Sequence, residues 1–396
     1  MTILHAGTVL TPEERLARRK LIIRDAISLV TLFLITAVIF ALTLLLHRSF
    51  EDHREELGNR WRSRGELALQ QGHPKQAVEA LRSALAYVPN RQTEVDLATA
   101  LADAGNTVEA TAYFNTLWDS APGDAIINLQ LARLAVKAGN EPLAVRHYQA
   151  AIDGTWQGNG FDRRREVRLE LARYYISRRQ LDQARTQLLI ATSNAPDNPP
   201  AIKLGIAGLL EQANDLPSAL GVYRAMAAHR PIPVAALEGA GRTAFHLGMY
   251  RVASGYLGML IARSAITPIP DAEKNAARSM LDMSNRILVL YPGYEEPARV
   301  RAQRILALKG IANKRLTTCA SNPAAAPHLG ALTARWGQLP SRLTAQQLEQ
   351  QPDLEQSILQ LVFDTETTTA QTCGAPSGDD ALLLRIAQNP GAVEQD

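Results

Sequence analysis

The chain has 396 residues, with 42 Lys and Arg against 39 Asp and Glu and a net charge of +3. That near balance excludes a dedicated nucleic-acid binder, whose basic excess would be larger and clustered. Aromatic residues make up only 5% while Ala and Leu are plentiful, a composition that suits closely packed helices better than a sheet of β-branched and aromatic side chains.

The first element is residues 26–46, AISLVTLFLITAVIFALTLLL, 21 residues without a charge. As a helix they would rise about 32 Å, enough to cross a bilayer core. Ser28, Thr31, Thr36 and Thr43 can return their hydroxyls to the helix's own carbonyls. A cleaved signal peptide would have a shorter apolar stretch and a small-residue cleavage site. Here HRSFEDHREE follows instead, so the segment reads as an uncleaved transmembrane helix. Arg15, Arg18, Arg19, Lys20 and Arg24 precede it, and only Arg48 and Arg54 follow within ten residues. That bias places residues 1–25 in the cytoplasm as a tail. Beyond a juxtamembrane helix or linker at 47–57, the bulk of the chain then lies outside, in the periplasm of a bacterial cell. Arg60, Arg62 and Arg64 make a wider count a tie, which leaves a cytoplasm-facing membrane adaptor as the alternative.

A repeat follows. Gly72, Ala77, Ala84 and Pro89 recur 33 residues on as Gly105, Ala110, Leu117 and Pro122, and 34 further on as Gly139, Ala144, Ala151 and Trp156. A period of this size is the signature of stacked helix pairs. The Gly ends a first helix in a left-handed conformation. The first Ala lets the second helix cross the first closely, the second Ala receives the next unit, and Pro closes the unit because it cannot continue a helix. The pattern resembles the tetratricopeptide repeat (TPR). A first unit from Gly58 carries Trp61, Gly65, Ala77, Leu81, Ala84 and Pro89. The second carries Ala98, Ala110, Phe114 and Pro122, and the third Ala132, Ala144, Tyr148 and Ala151. After an inserted stretch, DGTWQGNGFD, expected to be a flexible loop, the fourth carries Ala172, Ala184, Leu188, Ala191 and Pro196, with Arg179 where Gly is usual. The fifth carries Ala207, Ala219, Tyr223 and Pro231 with Asn214 at its turn, and the sixth Gly241, Gly248, Ala253 and Leu257. The resemblance implies an all-α TPR solenoid, a right-handed superhelix of antiparallel helix pairs, with six units over 58–267.

It also implies a concave groove, lined by the first helix of each unit, that holds a partner protein's peptide or helix. The inward positions are Asn59, Arg62, Glu66, Thr99, Asp103, Arg133, Lys137, Arg173, Glu211, Gln212, Arg242, Phe245 and His246. Of these, Arg62, Arg133, Lys137, Arg173, Arg242 and Phe245 are the candidate binding residues. Arg133, Arg173 and Arg242 share one slot, where a guanidinium could grip a carboxylate. The Lys and Asn arrangement of the family's carboxylate clamp is not reproduced.

Beyond the repeats, 269–291 and 295–316 read as amphipathic helices, the first with Asp271 as N-cap, and residues 268–318 are expected to cap the array. Residues 319–396 form a helical tail including SRLTAQQLEQ and DDALLLRIAQ. Cys319 and Cys373 are the only cysteines and are disulfide candidates outside the cytoplasm. Closing that loop would stabilise the tail by roughly 4 kcal/mol. The stretch DTETTTAQTCG, with Asp364 and Glu366, reads as a solvated loop rather than a cation site. No metal-ligand spacing, phosphate loop or nucleophile motif is present. The function expected is a non-catalytic membrane-anchored scaffold of the cell envelope. It would bind protein partners and need no cofactor, metal, nucleic acid or small-molecule substrate. An enzyme with its site in the tail is the alternative from another class.

Overall fold

The computed structural model describes residues 12–293, 295–340 and 342–389. The first eleven residues of the expected cytoplasmic tail, and the last seven of the C-terminal one, lie outside the described residues. Among the described residues there is no strand, only an isolated bridge between Asp124 and Thr155. The chain divides into two compact units, residues 1–158 and 159–396.

The first unit opens with α1 (Pro12–Gln70), followed by α2 (Pro74–Tyr87), α3 (Arg91–Asp103), α4 (Thr107–Ser120), α5 (Ala125–Lys137) and α6 (Glu141–Asp153). The anchor, juxtamembrane segment and first repeat helix, expected as separate elements, are one continuous helix of 59 residues. No Gly or Pro between 47 and 57 interrupts it. Its apolar stretch is bare, with Phe33 and Leu46 among the exposed side chains, and its first buried residues are Gly58, Gly65 and Ala68. Ser28, Thr31, Thr36 and Thr43 each donate a hydroxyl to a carbonyl one turn back, at 2.8–3.0 Å.

Three helix pairs make up this unit, α1–α2, α3–α4 and α5–α6. The small slots of their second helices, Ala77, Ala110 and Ala144, have no exposed surface. In the first pair a Cβ on Gly65 would stand 2.5 Å from Leu81 Cγ, so the axes approach as closely as a glycine permits. The stretch expected to be a flexible loop after α6 is tied down in its first half. Thr155 N donates to Gly123 O at 2.9 Å, Ala125 N donates to Thr155 O, and Trp156 Nε1 donates to Ala151 O.

The second unit continues with α7 (Gly160–Ser177), α8 (Leu181–Ser193), α9 (Ala201–Gln212), α10 (Leu216–Ala227), α11 (Val234–Leu247) and α12 (Tyr250–Arg263), again three pairs. Ala184, Ala219 and Ala253 fill the same buried slot. α13 (Asp271–Leu290) packs on α12. Asp271 is the first helical residue; the cap position belongs to Pro270. α14 (Ala298–Ala320), α15 (Ala326–Gly337), α16 (Ala345–Glu349), α17 (Pro352–Cys373) and α18 (Gly378–Ala387) complete the chain. α14 is the axis on which α15 to α18 gather. The boundary expected between 318 and 319 therefore falls inside a helix, because Leu316 and Cys319 share one core with Leu329, Leu332 and Leu361.

The same turn closes every pair. Gly72, Gly105, Gly139, Arg179, Asn214 and Gly248 all have φ between 55° and 87°. The amide that follows each donates to the carbonyl five residues earlier, as in His73 to Ala68 and Gln180 to Tyr175, at 2.8–2.9 Å. This is the Schellman closure, which satisfies carbonyls the helix end would otherwise leave unpaired. Arg179 takes a conformation that costs an L-residue roughly 1–2 kcal/mol. Arg179→Gly should therefore raise stability, by about 0.5–1 kcal/mol once glycine's extra chain entropy is subtracted. Gly239→Ala should lower it by about 1–3 kcal/mol, because its methyl would stand 2.4 Å from the buried ring of Tyr223. Denaturant unfolding of the detergent-solubilised chain, followed by helical circular dichroism, checks both signs.

Candidate partner-binding groove

The residues expected to line a groove all lie on the first helix of a pair. In the first unit Arg62 donates to Glu66 on its own helix at 2.8 Å. Asp96 on α3 stands near both; burial and the Glu66 carboxylate raise its pKa, opposed by a hydrogen bond from Gln92. Thr99 turns its hydroxyl back to Val95 O. Lys137 Nζ donates to Ala102 O at 3.1 Å, so this ammonium caps the end of α3. Arg133 lies exposed one turn before it on α5.

In the second unit Arg173 is exposed on α7 and makes no hydrogen bond or ion pair with another described residue. Arg242 is different. It reaches both oxygens of Glu211 at 3.1 and 3.2 Å and Glu238 at 2.8 Å. The buried Thr243 hydroxyl donates to Glu211 at 2.6 Å. Burial, reinforced by Glu211, pushes the Tyr223 phenol up to about 12. Of the three arginines sharing a slot, Arg242 is thus neutralised within its own fold. Phe245, expected to line the groove, is core instead: it is 3% exposed, edge-on to Tyr250 with centroids 5.8 Å apart. The Arg385 guanidinium of α18 covers its other face at 4.1 Å. His246 beside it is exposed, and partial burial together with Arg385 and Arg242 depresses its pKa.

Residues 62–125, 95–159, 129–199 and 169–233 match the model of the tetratricopeptide repeat family. The chain is a tetratricopeptide repeat protein across this span. The TPR fold makes it a scaffold for protein–protein interaction, and TPR proteins are in general non-catalytic. The solved structures it is similar to include Pseudomonas aeruginosa pilF, at 18% identity over 57% of this chain and 99% of that one, with a TM-score of 0.39. A tetratricopeptide repeat protein of Parabacteroides merdae is similar at 16% identity over 64% and 92%, with a TM-score of 0.37. The TPR2AB domain of yeast Sti1, in its complex with pHSP90, is similar at 13% identity over 58% and 99%, with a TM-score of 0.24. No curated protein matches the chain in sequence.

Two features lay beyond sequence reasoning. Asn128 and His147, both buried, join at 2.9 Å, and Asn128 Nδ2 also donates to Pro122 O and Asp124 O. The period marks those positions only as a first-helix and a second-helix site, so nothing pairs them in advance. Asp364 and Glu366, expected in a solvated loop, lie inside α17. Asp364 pairs with Arg335 at 2.7 Å, while Glu366 has no exposed surface. Cys319 on α14 and Cys373 at the end of α17 are joined by a disulfide with Cα atoms 5.9 Å apart. Among the described residues no group of three or more His, Cys, Asp or Glu is placed to hold a metal.

Glu211→Ala would leave the buried Thr243 hydroxyl and part of the Arg242 guanidinium without an acceptor. It should cost about 2 kcal/mol, in the range for hydrogen bonds to a charged group. Glu238→Ala removes only a half-exposed pair one turn away and should cost under about 0.5 kcal/mol. Unfolding midpoints of the two variants side by side give the comparison.

Proposed function

We propose that this TPR protein is a single-pass scaffold of the cell envelope, with its N-terminus in the cytoplasm and its repeats outside. It recruits protein partners and performs no catalysis of its own. The observation that carries this reading is α1: an uncharged, fully exposed apolar stretch at 26–46 runs without a break into the first repeat helix. Burying that stretch in a bilayer removes a surface no soluble chain leaves bare. The eleven residues between it and the first repeat span about 16 Å as helix, so the repeats stand at a set height above the membrane. Tethering in two dimensions raises the effective concentration of membrane-bound partners. The basic flank before the span supports the orientation, and a disulfide between Cys319 and Cys373 suits a compartment outside the cytoplasm.

Alkaline phosphatase fused after Asp396 should be active, and a fluorescent protein that matures only in the cytoplasm should stay dark at the same site. The reverse result would establish the cytoplasm-facing adaptor. In native membranes the two thiols should resist alkylation until a reductant is added.

For partner capture the first unit offers Arg133 and the second Arg173, each exposed on the first helix of a pair, and Arg173, which bonds no other described residue, can take a carboxylate in a bidentate pair. Arg62, Lys137 and Arg242 shape the face through the bonds already described. Arg133→Glu with Arg173→Glu should remove crosslinked partners by at least tenfold in quantitative mass spectrometry while leaving the melting curve unchanged. An unaltered partner set would assign binding to another face.

A further inference from the structure

The C-terminal helix α18 is only ten residues long, too short to be helical without a seat. It packs on α17, α13 and α14 and reaches the last repeat pair through Arg385 and Asn389. Leu382, Leu383 and Ile386 are buried there. Arg385 lies over the Phe245 ring and donates to the Tyr250 hydroxyl at 3.2 Å, and Asn389 donates to Leu247 O. α18 therefore covers Phe245 and Tyr250, two aromatic side chains that the last pair would otherwise present. Gly374 and Gly378, both left-handed, flank the four-residue link that delivers it. The link starts where Arg315 grips Gly374 O and the Cys319–Cys373 bridge fixes the end of α17.

One contact in this seat is unlike the rest. Glu366 on α17 has no exposed surface, and neither carboxylate oxygen has a donor. The group it meets is another carboxyl, Asp380 on α18, whose Oδ1 is likewise buried without a donor. The charges around them are Arg315 and Lys314 from α14 and Asp379 from α18, the last held by Arg286 of α13. A fully buried carboxylate and a half-buried one cannot both stay ionised at contact; one holds a proton and donates it to the other. We propose that α18 is a proton-dependent latch, closed over Phe245 and Tyr250 while Glu366 and Asp380 share a proton and loosened as that proton is lost.

The sign follows from linkage. Burial, then Asp380, raises Glu366 from its ordinary 4.5 to about 8 when the latch is closed; with α18 detached it returns toward the ordinary value. Closing then takes up a proton between those limits. The latch is tightest below the lower value, weakens about tenfold per pH unit through the interval, and levels off above the upper one.

Hydrogen exchange of the intact chain in detergent, corrected for intrinsic rates, reads the closing equilibrium directly. Between pH 5.5 and 7.5 the protection of residues 378–389 should fall about a hundredfold, with α11 and α12 unchanged. Glu366→Gln, isosteric and without a titrating proton, should flatten the profile. Should that variant fail to fold by circular dichroism, Asp380→Asn, whose amide can donate to an ionised Glu366, takes its place with the same expectation. A flat wild-type profile, the wild-type slope persisting in the variant, or equal loss of protection in α11 and α12 would each overturn the latch.

Discussion

Each repeat depends on how near two helix axes can come. In the first and sixth pairs a glycine on the first helix meets a leucine 16 positions later on the second, Gly65 with Leu81 and Gly241 with Leu257. In the other four the same slots hold Ala98 and Phe114, Ala132 and Tyr148, Ala172 and Leu188, and Ala207 and Tyr223, none more than 4% exposed. A larger residue on the first helix would push the second outward, and the next pair would lose its packing surface too. The left-handed turn fixes where the second helix begins and so brings those slots face to face. Turn and slot specify one geometry, and agreement between local and tertiary preference is what makes a repeat fold uniquely.

This explains what could be read from sequence. Small residues at fixed intervals are a backbone requirement, and a backbone requirement restricts residue type at one position. One departure was legible, since Asn214 tolerates the left-handed region; Arg179 adopts the same conformation, which its residue type does not announce. The candidate site was less legible, because a surface residue's role is set by neighbours remote in sequence. Arg242 and Arg173 occupy equivalent slots, yet Glu211 lies 31 residues before Arg242 and captures it, while no described residue captures Arg173. Phe245 sits at an inward position of its helix, but α18, arriving 140 residues later at Arg385, makes it core. Glu366 was misread because the threonine-rich stretch around it looks like a polar loop; the hydroxyls of Thr365, Thr369 and Thr372 bond to their own helix carbonyls and hide their polarity from the interior.

The cations follow a further pattern. Lys137 bonds Ala102 O, Arg165 bonds Asn194 O, Arg185 bonds the carbonyls of Ala213 and Asn214, Arg304 those of Leu288 and Tyr291, and Arg315 that of Gly374. In each case a side chain from another helix closes a helix C-terminus, where unpaired carbonyls and the negative end of the helix dipole favour a cation. A nearly balanced charge composition thus conceals a division of labour. A share of the basic residues is committed to joints between helices, and charge counts along the sequence overstate what remains for partners.

The ends of a repeat array pose a different problem, since an outermost pair has no neighbour to cover its face. At the last pair the cover is α13 together with α18, and the two are built differently. α13 is a 20-residue helix packed along α12. α18 is half as long and contributes three buried aliphatic residues, and the remainder of its seat is polar: a guanidinium on an aromatic face, an exposed ion pair from Arg286 to Asp379, and two carboxyls in contact. An apolar pair in place of Glu366 and Asp380 would hold the helix more firmly, since unpaired buried carboxyls oppose burial. The seat over Phe245 and Tyr250 therefore holds α18 less firmly than an apolar one would.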